Sequence, residues 1–485
     1  MRTEFVTAVT GRTSTRLLIG TLPWQRSLRD VNLCSGNLFK SFTDIQVSPA
    51  QGAGLALQRT YNSNDDRIGP FGIGWTHAYD IRMEEDAANT PTDDSLNFAD
   101  RTDFFGGKHK YHRDADGLYS PPAYLYDEMS SDYDRFLTDG PQNVLDDTDK
   151  GMDGTLKHFT KVGNERLCDR ITDRYGNATL LTYNQASIGG VTKGLLSTVT
   201  DPSGRQLSFV WQDLNAADPT RPAYRIVRAD GPQYSAAYAY NADFNLRASM
   251  LDAGDASHLN RTMTYGYTSF NGADASETGL LASITDALGH SVSYVYSMAL
   301  PDGMGGTVVP VTGTVWVQSV TEPGGVDAGS TPRSLVWTIG LSAMLNNITD
   351  LSNSAGLKMG LSWDPSLRFI HYFPIDGIDS TEVTLYDSAN NVTVKGALKM
   401  PTGGPSYGRY DRYDYFTYGP HGNQLTHQVN GFAPLETTSY YNASQYFQKA
   451  AVTDMNGRTS TMGVGSNTDP NPGSRGSVLW VRDAG

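Results

Sequence analysis

Cysteine is nearly missing from this chain: 485 residues hold only Cys34 and Cys168, far apart and without CxxC or Cys/His spacing. A disulfide framework and a zinc ribbon are excluded, while one long-range bridge between the two stays open. Long apolar runs are missing too. Nothing approaches the roughly eighteen apolar residues of a membrane-spanning helix, and LLIG at 17–20 is too short for the apolar core of a secretory signal. The sequence therefore predicts export by another route, or a start that lies upstream. Positive charge is the third shortage. The net charge is -14, and no Lys/Arg cluster flanked by aromatics offsets it, which argues against a nucleic-acid partner. Helical stretches are few.

What is abundant is turn and strand chemistry: 50 glycines, 27 tyrosines and 11% aromatic residues, the composition of many short strands joined by tight turns. The expectation is an all-β fold. Residues 279–297, GLLASITDALGHSVSYVYS, carry the unit: a β-branched strand ending at Asp286, a polar turn closed by glycine, and a returning strand of alternating polarity. One such hairpin is marginal in water, so copies must stack into a sheet. Four copies set an aromatic ten residues after the turn aspartate: Asp173 with Tyr183, Asp201 with Trp211, Asp230 with Tyr240, and Asp286 with Tyr296. Looser copies follow at VQSVTEPGG, LNNITDLSN (Asp350), VTLYDSANN, YFTYGPHGNQL and AVTDMNGRT (Asp454). The aspartate is expected to accept backbone amides in the turn. The aromatic is expected to pack on the equivalent ring of the next hairpin, at about 0.2 to 1 kcal/mol per pair.

The chain divides into a poorly ordered lead-in (1–31), a compact β-module (32–83), an irregular β region with acidic loops (84–165), and repeats over 166–485. The module holds Gly36-Asn37-Leu38, Thr43-Asp44-Ile45, Gln58-Arg59-Thr60-Tyr61-Asn62-Ser63 and Gly72-Ile73-Gly74-Trp75. With Arg59, Tyr61, Asn62, Gly72, Gly74 and Trp75 in that order, it resembles the opening module of Rhs and YD-repeat proteins, as in bacterial polymorphic toxins and, more distantly, Tc toxin C components and teneurins. The resemblance implies hairpins wound into a large hollow shell that encloses a variable C-terminal effector. It also implies secretion or delivery to the cell surface, and, as partners, the rest of the shell and the effector itself. In such toxins an aspartate-rich segment at the end of the core frees the effector. Asp201-Pro202-Ser203-Gly204 is a single DPxG-like turn within an early repeat, and that role is not carried onto it. The last residues, GSVLWVRDAG, match the front of a unit such as GLLSTVTDPSG. The expectation is a C-terminally truncated fragment whose unpaired edge associates with other chains.

Other motifs weigh less. Gly404-Pro405-Ser406-Tyr407-Gly408 fits a hydrolase nucleophile elbow literally, but proline precedes the serine and no helix pattern follows. His109/His112 and His421/His427 lack the spacing and companions of a metal site. DDTDKGMDG reads as a loop; counted from Asp147 as a calcium loop, it has Gly151 at position five and His158 at twelve, which fails the pattern. Sequons at Asn177, Asn260, Asn347, Asn391 and Asn442 matter only in a eukaryotic secretory pathway. No cofactor, metal or catalytic residue is expected, and an independent glycosidase is disfavoured because the acidic residues sit mostly at turns. The alternative to a shell is a binding module that recognises glycans or a partner protein through Trp211, Trp316, Trp337 and Trp363.

Overall fold

A computed structural model describes most of residues 27–482; the stretches 86–97, 121–127, 131–146, 253–260, 270–277, 400–411 and 467–477, with shorter breaks, lie outside the description. Among the described residues every regular element is a strand and every pairing is antiparallel. The fold is all-β.

The opening module is a three-stranded sheet. Phe39–Val47 pairs with Leu55–Asn62, which pairs with Trp75–His77 by the register Arg59↔His77 and Tyr61↔Trp75. Between the last two strands, Ile68–Gly69 and Gly72–Ile73 form a miniature hairpin. Gly72 and Gly74 hold φ of 115° and 73°; a Cβ on Gly74 would lie 2.8 Å from the Asn62 carbonyl, so both the dihedral and the space demand glycine there.

From Arg82 a single meander runs to the last described strand, Val478–Arg482. Arg82–Glu85 pairs with Phe98–Thr102 on one edge and with Glu165–Thr172 on the other, through Arg166↔Met83 and Leu167↔Arg82. That second pairing closes residues 82–172 into a ring, completed by Lys108–Arg113, Leu118–Ser120, Glu128–Ser130, Asp147–Lys150 and Leu156–Val162. Glu165–Thr172 is the branch point. Its front half pairs with Arg82–Glu85, and its end, Arg170 to Thr172, pairs with Ala178–Ile188 and starts the repeats.

Three expectations are corrected by this register. The acidic stretch DDTDKGMDG contains the strand Asp147–Lys150, because both of its edges find ladder partners in the ring. Asp350 lies inside the strand Ile348–Asn353, paired with Gly340 on one side and Gly360 on the other, so it marks no turn; ladder bonding on two edges outweighs the turn preference of aspartate. Asp230 ends the strand Tyr224–Asp230 and takes a 2.7 Å hydrogen bond from Arg228 Nε. It clasps no turn amide, because two residues on stands Pro232, which has no N–H.

The other turn aspartates share one geometry. Oδ1 of Asp173 accepts the amides of Tyr175 and Asn177 at 2.9 and 2.8 Å. Asp201 does so with Ser203 and Arg205, Asp286 with Leu288 and His290, and Asp454 with Asn456 and Arg458. The glycine at the third place after each aspartate, as in Gly204 at φ 80°, bonds back to the aspartate carbonyl. Asn241 performs the same clasp for Asp243 and Asn245. These hydrogen bonds favour the ionised carboxylate: burial alone would raise Asp201, yet the bonds from Arg205 and Ser203 hold it below its usual range.

Candidate functional site

The strands on either side of each clasped turn pair briefly and then part. Val191–Thr200 and Gln206–Asp213 pair only from Thr198↔Ser208 to Thr200↔Gln206. Beyond that point each strand pairs with its other neighbour, and the backbone facing the gap needs new partners. The repeat aromatic fills the gap. Tyr183 Oη donates to the Cys168 carbonyl at 2.7 Å, Trp211 Nε1 to Leu196 at 2.8 Å, Tyr240 Oη to Ile226, Tyr296 Oη to Leu281 at 2.8 Å, and Tyr440 Oη to Gln424 at 2.8 Å. The role therefore differs from ring stacking between units: the aromatic is a wedge whose polar tip caps an orphaned carbonyl. Burial drives the Tyr183 and Tyr296 hydroxyls well above their ordinary range, which keeps them as donors.

Each accepting carbonyl sits at a β-bulge. Trp211 faces Ile226 and Val210 faces Arg228, so Val227 is the extra residue. The same shift puts Cys168 opposite Phe159, Leu196 opposite Tyr183, Leu246 opposite Tyr240, Leu281 opposite Tyr267 and Val317 opposite Tyr296. At five of these positions the amide turns to the opening module. Cys168 donates to the Ile81 carbonyl at 3.0 Å, Ile226 to Pro70 at 3.1 Å, Leu246 to Phe71 at 3.1 Å and Val317 to Gly36 at 3.0 Å. Leu281 donates to Tyr61 Oη at 2.9 Å. All five donors are 0% exposed. A bulge breaks the ladder locally, and the module repairs it from outside the sheet.

At the centre of this seam lies Arg59, fully buried. Its Nε and Nη2 reach Asp44, the latter at 2.9 Å, and Nη2 also donates to Tyr265 Oη at 3.0 Å. Tyr238 Oη donates to Asp44 Oδ2 at 2.7 Å. Five rings surround the guanidinium carbon: Trp75 at 5.2 Å, Tyr238 at 5.3 Å, Phe42 at 5.4 Å, and Phe71 and Tyr265 at 5.6 Å. Nη1 has no hydrogen-bond acceptor among the described residues and meets ring faces instead. Burial alone would lower the Arg59 pKa, but Asp44 and the two tyrosines hold it well above its ordinary range. The cation belongs half to the module and half to the repeats.

The remaining motif residues surround it. Trp75 Nε1 donates to Tyr267 Oη at 2.9 Å, and Asn62 takes the Gly74 carbonyl through its amide at 2.8 Å. Gly72 packs on Asn245, whose Oδ1 accepts the Ile73 amide at 3.0 Å. His77 stacks on Phe209 at 5.9 Å, and its Nδ1 accepts the Tyr79 amide at 3.1 Å. Burial pushes the imidazole down to about 4.

The sequence reading left out Asp44 as a site residue, and with it Phe71, Tyr238, Tyr265 and Tyr267. A signal existed for the last: Asp230 and Asp286 stand 56 residues apart, twice 28, so a repeat was due between them, and Tyr267 holds its aromatic position at a bulge. Of the tryptophans proposed for ligand binding, Trp316 and Trp337 are buried, and Trp337 Nε1 donates to Glu322 at 3.0 Å. Trp363 lies in the strand Lys358–Asp364. His427 pairs with Asp414 at 2.7 Å and stacks on Phe416 at 4.8 Å, while His109 and His112 lie in Lys108–Arg113. Cys168 is buried, its Sγ 3.6 Å from the Arg170 carbonyl. Cys34, His421, residues 404–408 and four sequon asparagines lie outside the described residues; Asn177 spends its side chain on Asp173 at 2.8 Å.

Residues 29–101 match a family model described as a domain of unknown function, DUF6531. The tRNA nuclease WapA of Bacillus subtilis (strain 168) is 30% identical over 154 residues, which is 32% of this chain and 6% of that protein. The probable deoxyribonuclease RhsA of Dickeya dadantii (strain 3937) is 26% identical over 234 residues, 47% of this chain and 14% of that protein. This chain thus spans a small part of the length of either relative. Among solved structures, the crystal structure of TcdB2-TccC3-TEV aligns with 99% of this chain and 25% of its own at 11% identity and a TM-score of 0.34.

Proposed function

We propose, from the premise that the chain is an Rhs/YD-repeat protein, that it is a non-catalytic structural part of a shell enclosing an effector segment that lies outside these 485 residues. The observation that carries this reading is the seam. A catalytic site needs titratable groups at an accessible surface, whereas the most deeply buried ion pair among the described residues, Arg59 with Asp44, is sealed among rings and spent on joining module to sheet. WapA and RhsA carry nuclease names, and this chain matches 6% and 14% of them; the reading assigns cleavage to parts of such proteins other than the aligned one. Secretion or delivery to the cell surface belongs to the same reading. Among the described residues no helix is long and apolar enough to cross a membrane.

The test is twofold. The purified 485-residue chain, incubated with tRNA and with duplex DNA, should leave both intact. In the longer protein that contains this chain, the segment beyond it should resist protease until the shell is opened by denaturant. Nuclease activity that co-purifies with the chain and is lost on substituting one of its residues would sink the non-catalytic reading. A downstream segment cleaved at the same rate with and without denaturant would sink the enclosure.

A further inference from the structure

Away from Arg59, the module holds a second buried polar cluster, one without a formal charge. Asn37 and Asn62 are 0% exposed and Asn64 is 6% exposed. The Asn64 amide donates to Asn37 Oδ1 at 3.2 Å and to Asn62 Oδ1 at 3.0 Å, and Ser63 Oγ donates to Asn37 Oδ1 at 2.8 Å. A backbone N–H only donates, so both carboxamides are fixed with oxygen, and not nitrogen, on the Asn64 amide. Within a carboxamide the two atoms lie about 2.2 Å apart, so Nδ2 of Asn37, Asn62 and Asn64 all fall within about 5.5 Å of that one backbone nitrogen. All three nitrogens are buried, and none has an acceptor among the described residues. Each carries two N–H bonds. Unmatched buried donors are costly, and native cores hold few of them.

We propose that Asn37, Asn62 and Asn64 form a binding site for buried water, about one or two molecules held by the three carboxamide nitrogens. Charge decides the ligand. N–H donors repel a cation. An anion would bring charge into a site whose neighbouring cation, Arg67, is already spent on Asp65 at 2.7 Å. Water is neutral and accepts two N–H bonds. It also donates to the second lone pair of a carbonyl such as that of Asn62, which already takes the Asp65 amide at 3.0 Å. The site joins residues 36–37 to the turn at 62–65. Gly36, next to Asn37, is the residue whose carbonyl takes the Val317 amide at 3.0 Å, so the bound water is part of the module's hold on the sheet. This goes beyond the shell reading and does not depend on it, since it concerns packing inside the module.

The test compares the full chain with its Asn64→Leu variant, which keeps the size of the side chain and removes one donor. Oxygen-17 magnetic relaxation dispersion counts the waters held long enough to tumble with the protein. The variant should lose at least one of them and unfold about 2 °C lower. Were the donors merely unmatched, the apolar replacement would leave the water count unchanged and raise the midpoint, because removing an unmatched buried donor stabilises. Either of those results overturns the proposal. If Asn64→Leu fails to fold, a crystal structure of the wild-type chain grown in bromide makes the same test. Ordered water within about 3 Å of at least two of the three nitrogens is the expected result. Bromide at the site, or no density there, overturns it.

Discussion

At the scale of the residue, Arg59 decides how the module is held. Removing one partner of a buried ion pair leaves the other uncompensated, at about 3 to 5 kcal/mol, whereas replacing both with apolar groups costs far less. Arg59→Met should therefore lower unfolding stability by about that amount, and Arg59→Met with Asp44→Leu by clearly less than the two single changes together. Urea unfolding of the four proteins measures it. Additive losses would mean that the pair is held by packing on the five rings and not by charge. Arg59→Lys should also destabilise, because an ammonium cannot make the forked contact with Asp44 while reaching Tyr265.

At the scale of the element, the clasped turn and the bulge are one device. The clasp fixes where the short pairing begins, the strands then part, and the aromatic caps the gap. Asp201→Ala releases two amides and the Arg205 side chain and should cost about 1 to 2 kcal/mol. Asp230→Ala, at a position that clasps nothing, should stay within about 0.5 kcal/mol. Thermal melts of the two variants separate the readings; equal losses would show that the aspartates act through general turn preference and not through the clasp. This contrast was hidden in the sequence, where Asp230 satisfies the same ten-residue spacing to its aromatic as Asp201. Pro232, and Gln233 where the clasped turns carry glycine, mark it as different, and the consequence depends on which amide the carboxylate must reach.

At the scale of the whole molecule, acid should loosen the seam. His77 in the unfolded chain takes a proton near 6.5, but folded it stays neutral down to about 4. Between those values the unfolded state binds more protons. Stability is thus complete above about 6.5 and falls as pH drops toward 4, by about 3 kcal/mol in all. Asp80 beside it acts lower down. Burial would raise its pKa, but Arg82, His77 and Arg67 hold it below the usual carboxylate range, so its contribution is lost only as pH falls below about 4. His77→Asn keeps an acceptor for the Tyr79 amide and cannot titrate. Urea midpoints for wild type and variant at pH 7 and 4.5 should converge at the lower pH. An undiminished acid slope in the variant would assign the effect to other groups.

The sequence by itself determined the all-β class, the repeat of strand and turn, and the aspartates that clasp their turns at 173, 201, 286 and 454. These rest on contacts within a few residues: an aspartate and the amides two and four places on, or alternation along one strand. What only the tertiary structure decided is the seam. Arg59 meets Tyr265 across 206 residues and Tyr61 meets Leu281 across 220, and the amides that bind the module are freed by bulges whose register no local pattern encodes. A tyrosine that looks from its spacing like a stacking ring becomes a cap on a carbonyl once the strands part. Where they part is set by register across the sheet, against which the module closes around the buried Arg59.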